Sequence, residues 1–109
     1  IIYEEAESQV DDKEIMVFKG ERDWPIDILG PVASRLCRKY NKPVFLYQKK
    51  KGYCQGTARV PSGMDAVKAM KSCHFLLATY GGHAPAAGFR IKDKNLKAFE
   101  ECLFNYFTQ

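Results

Sequence analysis

The stretch "YGGHAPAAGF", Tyr80 to Phe89, sets two glycines, a histidine and an alanine-rich run with one proline between two amphipathic segments. Taken alone, Gly81 and Gly82 read as a helix stop followed by a turn, because glycine after a helix is the commonest C-terminal signal. Glycine also takes dihedrals that other residues avoid and lets another molecule come close to the backbone. His83 would then stand at the edge of such an opening.

Downstream, "GFRI" reads as a short strand, and Asp93 is a natural N-cap for a last helix. That helix has an inner face of Leu96, Phe99, Leu103 and Tyr106, with Cys102 and Phe107 beside it. Upstream, Ser62 with Asp65 three residues later resembles a capping box opening a short helix through Val67, Met70 and Cys73. "YCQGTARV" (Tyr53 to Val60) and "PVFLY" (Pro43 to Tyr47) read as strands, joined by "QKKKG", which has the length and glycine of a hairpin connection.

Before them, Ile28, Leu29, Val32, Ala33, Leu36, Cys37 and Tyr40 line one face of a helix, ended by Asn41 and Pro43. Pro31 belongs in or near its first turn, where a missing amide donor costs little. "KEIMVFKG", Lys13 to Gly20, alternates and then runs apolar, as a half-buried strand would. Strands alternating with helices predict an α/β fold, a small mixed sheet of about four to five strands flanked by helices.

A chain of 109 residues, 46% apolar, forms one domain and buries a core without staples. No apolar run approaches the roughly 20 residues of a membrane span, and "IIYEEAESQV" has neither the basic start nor the long apolar stretch of a signal peptide. The chain opens in mid-pattern without methionine, as an excised piece of a longer protein would. Residues 1–12 read as an acidic lead-in or linker from a missing upstream domain, and 13–109 as the folded domain.

Cys37, Cys54, Cys73 and Cys102 form no Cys-x-x-Cys pair and have only two histidines for company. That spacing argues against a zinc site and against a disulfide framework, and predicts packing roles in a reducing cytoplasm. The formal net charge is +4. Because Glu4, Glu5, Glu7, Asp11, Asp12 and Glu14 crowd the opening, the rest of the chain is more basic than that figure suggests, which favours a polyanionic partner.

Three segments in order carry a family resemblance. "YGGHAPAAGF" resembles the Gly-Gly-His-x-x-Ala-Ala-Gly signature of the DHH-associated domain, the C-terminal partner of the Asp-His-His phosphoesterase domain. "DWPIDILGPVASRLCRKYNKPVFLY" is similar to the preceding helix and strand of the RecJ type of single-strand-specific exonuclease, and "GTARVPSGMD" to that group's Gly-Ser-x-Arg-Ser stretch. The likeness covers nearly the whole chain from about Lys13.

The resemblance implies a DHH-associated substrate-binding domain with no catalytic or metal-binding residue of its own. It implies manganese or magnesium in the missing DHH domain, where two-metal hydrolysis of a phosphodiester would occur, and this chain as the wall that grips single-stranded nucleic acid. The candidate substrate-binding residues are Thr57, Arg59, Gly81, Gly82 and His83. Backbone amides of a glycine turn make a concave anion site, Arg59 offers a planar fork to phosphate, and Thr57 and His83 add donors.

The sequence departs from the family in having Trp24, Pro25, Ile26 and Asp27 where RecJ has Trp-His-Pro-Gly, Val60 where it has serine, and Pro31 in the helix. Two alternatives follow: a smaller DHH phosphoesterase acting on short oligonucleotides or cyclic dinucleotides, and a non-catalytic scaffold in a replication or repair assembly. His74 reads as a packing or surface residue. Arg90, Lys92, Lys94 and Lys97 read either as an extension of a phosphate track or as a solvent face, and Trp24 and Tyr53 as base-stacking or buried aromatics.

Overall fold

The computed structural model describes every residue from Ile1 to Gln109. Along the chain come α1 (Ile2–Glu7), β1 (Val17–Glu21), α2 (Ile26–Tyr40), β2 (Val44–Lys49), β3 (Tyr53–Arg59), α3 (Ala66–Ser72), β4 (Thr79–His83), β5 (Ala86–Lys92) and α4 (Leu96–Phe107). The strands form one sheet in the order β1-β2-β3-β5-β4, in which β1 runs parallel to β2 and every other pair is antiparallel.

Strand alternation splits the core into two layers. Phe18, Phe45, Phe89 and Ile91 point to the face covered by α3 and α4, where Phe99 packs against Phe18, Phe45 and Phe89 at centroid distances of 5.8, 6.1 and 5.3 Å. Burying one such ring stabilises by about 1.5–3 kcal/mol, so Phe99 pins α4 to the sheet. Val17, Val44 and Leu46 point the other way and meet Leu29, Ala33 and Leu36 of α2. Residues 44–47 are buried in succession because β2 is covered on both faces.

Helix α2 begins at Ile26, two residues before the apolar repeat marks it, so Pro31 is the sixth helical residue and lies past the first turn. Its ring is exposed, and its missing N–H leaves the Asp27 carbonyl without its usual donor four residues on. The helix ends at Asn41, whose left-handed φ of 53° is tolerated by asparagine better than by other side-chain-bearing residues.

Four further expectations are corrected. Gly81 and Gly82 do not terminate a helix or form a turn; they sit inside β4, a strand exposed along its length that pairs only with β5. Asp65, not Ser62, caps α3 by accepting from the Lys68 amide at 3.0 Å. Asp93 opens a 3-10 turn, and Asn95 precedes α4 without a side-chain cap. Cys73 and Cys102 are joined by a disulfide between α3 and α4, because folding brings together cysteines 29 residues apart, while Cys37 and Cys54 are free and buried.

The acidic opening carries α1. Ala6 is fully buried, Glu5 accepts the Trp24 indole N–H at 2.9 Å, and the Glu7 carboxylate takes bonds from Tyr40 at 2.7 Å and from Lys39. Lys39 and Tyr40 hold the Glu7 carboxyl below its ordinary pKa.

Candidate nucleic-acid interface

Helix α2 lies over β2 and the adjoining side of β3 and leaves the far side of β3, with β5 and β4, uncovered on that face. Register decides what stands there. Thr57 lies opposite Gly88, which lies opposite Gly81; Arg59 lies opposite Ala86, which lies opposite His83; and Gln55 lies opposite Arg90, which lies opposite Thr79. Directly paired residues share a face, so these three rows form a single surface beside α2.

The middle row is almost bare backbone. A Cβ added at Gly81 would meet nothing within 4 Å, and one at Gly88 would only touch the Gly56 carbonyl at 3.5 Å. A cavity of ≈ 600 Å³ opens over this floor, walled by Asp27, Gly30 and Pro31 of α2 and by Thr57, Arg59 and Arg90 of the sheet. The positive end of α2 faces it, with no side-chain cap at Pro25.

Arg59 dominates the chemistry. Its Nε donates to Ser34 Oγ at 3.0 Å, and its Nη1 donates to Thr57 Oγ1 at 2.6 Å and to the Ala58 carbonyl at 2.9 Å. Nη2 rests against α2, where a Cβ at Gly30 would lie 2.7 Å from it. No carboxylate forms an ion pair with Arg59. Burial lowers the guanidinium pKa from its ordinary value, so the cation is partly desolvated and held by neutral groups alone. Such a group gains more from an arriving anion than a solvated lysine does.

Thr57, Arg59 and Gly81 are therefore brought together in one cavity. The Thr57 hydroxyl donates to the Ala87 carbonyl at 3.3 Å while accepting from Arg59, so it aims the guanidinium and has no proton left to offer. His83 stands on the same face but beyond the cavity wall, exposed on the rim. Gly82 faces the opposite side of the sheet: its φ is +138°, and a Cβ there would lie 2.6 Å from the Ala86 carbonyl oxygen. Its glycine serves the hairpin.

Gln55, Ser34 and Gly30 escaped the sequence reading. Gln55 was accessible from alternation, being in phase with Thr57 and Arg59; the others needed strand pairing and the crossing of α2. Arg90 joins the site's row, with its guanidinium carbon 5.2 Å from the Tyr53 ring centroid. Trp24, by contrast, is fully buried. His74 is exposed on a 3-10 turn beside Phe75.

No group of three or more His, Cys, Asp or Glu side chains is placed to hold a metal ion. Within the cavity Asp27 is the lone carboxylate, set among two arginines, a donor set that does not fit a divalent cation. No helix is long and apolar enough to cross a membrane.

Comparison with known proteins agrees with this architecture. The chain is 40% identical over 73 residues to the single-stranded-DNA-specific exonuclease RecJ of Thermus thermophilus, covering 67% of this chain and 10% of that protein. It is 34% identical over 88 residues to RecJ of Haemophilus influenzae, covering 76% and 15%. A crystal structure of exonuclease RecJ bound to manganese superposes with a TM-score of 0.87 at 30% identity, covering 99% of this chain and 27% of that one. The chain thus spans only 10% to 15% of the length of these curated relatives. A family model described as the DHHA1 domain matches residues 12–109, and the chain belongs to that family.

Proposed function

We propose that this chain is the single-strand-binding domain of a RecJ-like exonuclease, and that it seats a phosphodiester backbone on the bare face of β3, β5 and β4. The observation that carries the reading is Arg59: a partly buried guanidinium without a carboxylate partner, clamped by Ser34 and Thr57 over a glycine floor. Bare peptide groups at Gly81 and Gly88 let a chain lie close, and Arg90 and His83 flank the path.

In this reading Arg59 binds and orients a phosphate, and the α2 wall with Asp27 and Pro31 limits how the strand enters. Asp27 repels phosphate from that wall and leaves the route over the glycines open. Hydrolysis would belong to a separate DHH domain, where bound metal ions would supply activation of the attacking water. The isolated chain then binds single strands weakly, with strong salt dependence, and cuts none. Titration of oligothymidylate against the chain and its Arg59→Ala variant across a salt series tests this.

A further inference from the structure

The surface beside α2 continues past the cavity by one more row. Tyr53 of β3 lies opposite Lys92 of β5, two residues on from the Gln55–Arg90 pair, so strand alternation turns both to the same face as the cavity floor. Thr57 and Tyr53 are four residues apart, about 13 Å along an extended strand. Arg90 belongs to both places: it lines the cavity, and its guanidinium carbon stands 5.2 Å from the centroid of the half-buried Tyr53 ring.

Positive charge runs the same way. Beyond Tyr53, the turn between β2 and β3 carries Lys50 and Lys51, both exposed, as are Arg90 and Lys92. None of these four cations forms an ion pair. The carboxylates at this end of the sheet are engaged or set apart. Asp93 accepts the Cys54 thiol at 3.2 Å. Glu21, which accepts from Gln9 at 3.3 Å, and Asp23 belong to β1 and the loop after it, with Arg22 between them, and β1 lies two strands from β3.

We infer that this row is a second subsite for the same single strand: a base stacks on the Tyr53–Arg90 pair, and the phosphates that follow lie along Lys92 and the Lys50–Lys51 turn. The inference rests on the nucleic-acid reading of the cavity. It deepens that reading by naming the ligand as a strand of several nucleotides that runs off the glycine floor towards the β2–β3 turn. Single strands are held without regard to sequence where cationic side chains alternate with aromatic rings, and both tyrosine and guanidinium faces stack on bases.

The test titrates the isotope-labelled chain with dithymidylate and with an oligothymidylate of about eight nucleotides, of the order that one small domain covers, following backbone amide shifts. The parent should bind the longer strand by roughly tenfold or more over the shorter, and only the longer strand should shift the Tyr53 and Lys92 amides. Tyr53→Ala should weaken the longer strand by about tenfold, the scale of a lost base stack, and leave dithymidylate unchanged, while Tyr53→Phe binds like the parent. Lys92→Gln, at an exposed position, should shrink the salt slope by about 0.7 for the longer strand alone. Equal affinity for both lengths overturns the second subsite. So do Tyr53→Ala and Lys92→Gln chains that bind the longer strand like the parent while Arg59→Ala loses both lengths, a result that leaves the cavity reading standing. Arg59→Ala that binds both lengths like the parent removes the cavity reading, and this extension with it.

Discussion

Ser34 Oγ accepts a hydrogen bond from Arg59 Nε at 3.0 Å, so a helix and a strand 25 residues apart jointly aim one guanidinium. This tie makes Ser34 a positioning residue. Ser34→Ala should leave the fold intact and weaken oligothymidylate binding by about 0.5–1.5 kcal/mol, the worth of one such bond, without changing the number of phosphates held. Isothermal titration at several salt concentrations separates the two effects: affinity falls, and the salt slope stays.

The three glycines near the site should answer differently to alanine. A Cβ at Gly56 would lie 2.4 Å from the Phe89 ring and 2.7 Å from the Leu46 carbonyl oxygen, and one at Gly82 clashes with β5 backbone at a positive φ. Gly56→Ala and Gly82→Ala should each cost about 1–3 kcal/mol through overpacking or strain. Gly81 faces open space, and Gly81→Ala should shift stability by no more than about 0.5 kcal/mol. Urea midpoints decide it; a large loss at Gly81 would contradict an open face on β4.

The Cys73–Cys102 bond closes a loop of 29 residues, which in the chain-entropy picture stabilises by about 3–4 kcal/mol. Dithiothreitol should therefore lower the urea midpoint of the parent and leave that of Cys102→Ser unmoved. Identical midpoints for the oxidised and reduced parent would speak against a stabilising α3–α4 staple.

Alkaline pH should weaken the fold through two buried groups. Burial pushes the Tyr47 hydroxyl from 10.0 up to about 12, and burial followed by the neighbouring Asp93 pushes the Cys54 thiol from 9.0 up to about 12. The unfolded chain loses these protons first, so stability is intact below about pH 9 and declines between the unfolded and folded values, with roughly 1.4 kcal/mol at stake per unit of separation. Tyr47→Phe should match the parent near pH ~7 and retain more stability near pH ~11; parallel pH profiles would contradict the assignment.

How much of this was legible follows from which interactions are local. The apolar repeat from Ile28 to Tyr40 and the runs at Val44 and Tyr53 carry their own periodicity, so α2, β2 and β3 could be read directly. Strand β4 could not: Gly81 and Gly82 have no strand propensity, and their geometry comes from pairing with Ala87 and Gly88. The hairpin is anchored where the Ala84 and Pro85 carbonyls accept the Ala66 and Val60 amides at 2.7 and 3.2 Å. The disulfide is likewise tertiary, since no spacing rule joins Cys73 to Cys102. Family likeness pointed to Arg59 and Gly81, but only sheet register puts them on one face and turns Gly82 away.

The most direct test of the central claim is the salt dependence of oligothymidylate binding by the parent and Arg59→Ala chains. If Arg59 grips a phosphate, the variant binds more weakly and its log–log salt slope shrinks by about 0.7, the value for one fewer phosphate neutralised on a single strand. Equal affinity and equal slope would contradict the account.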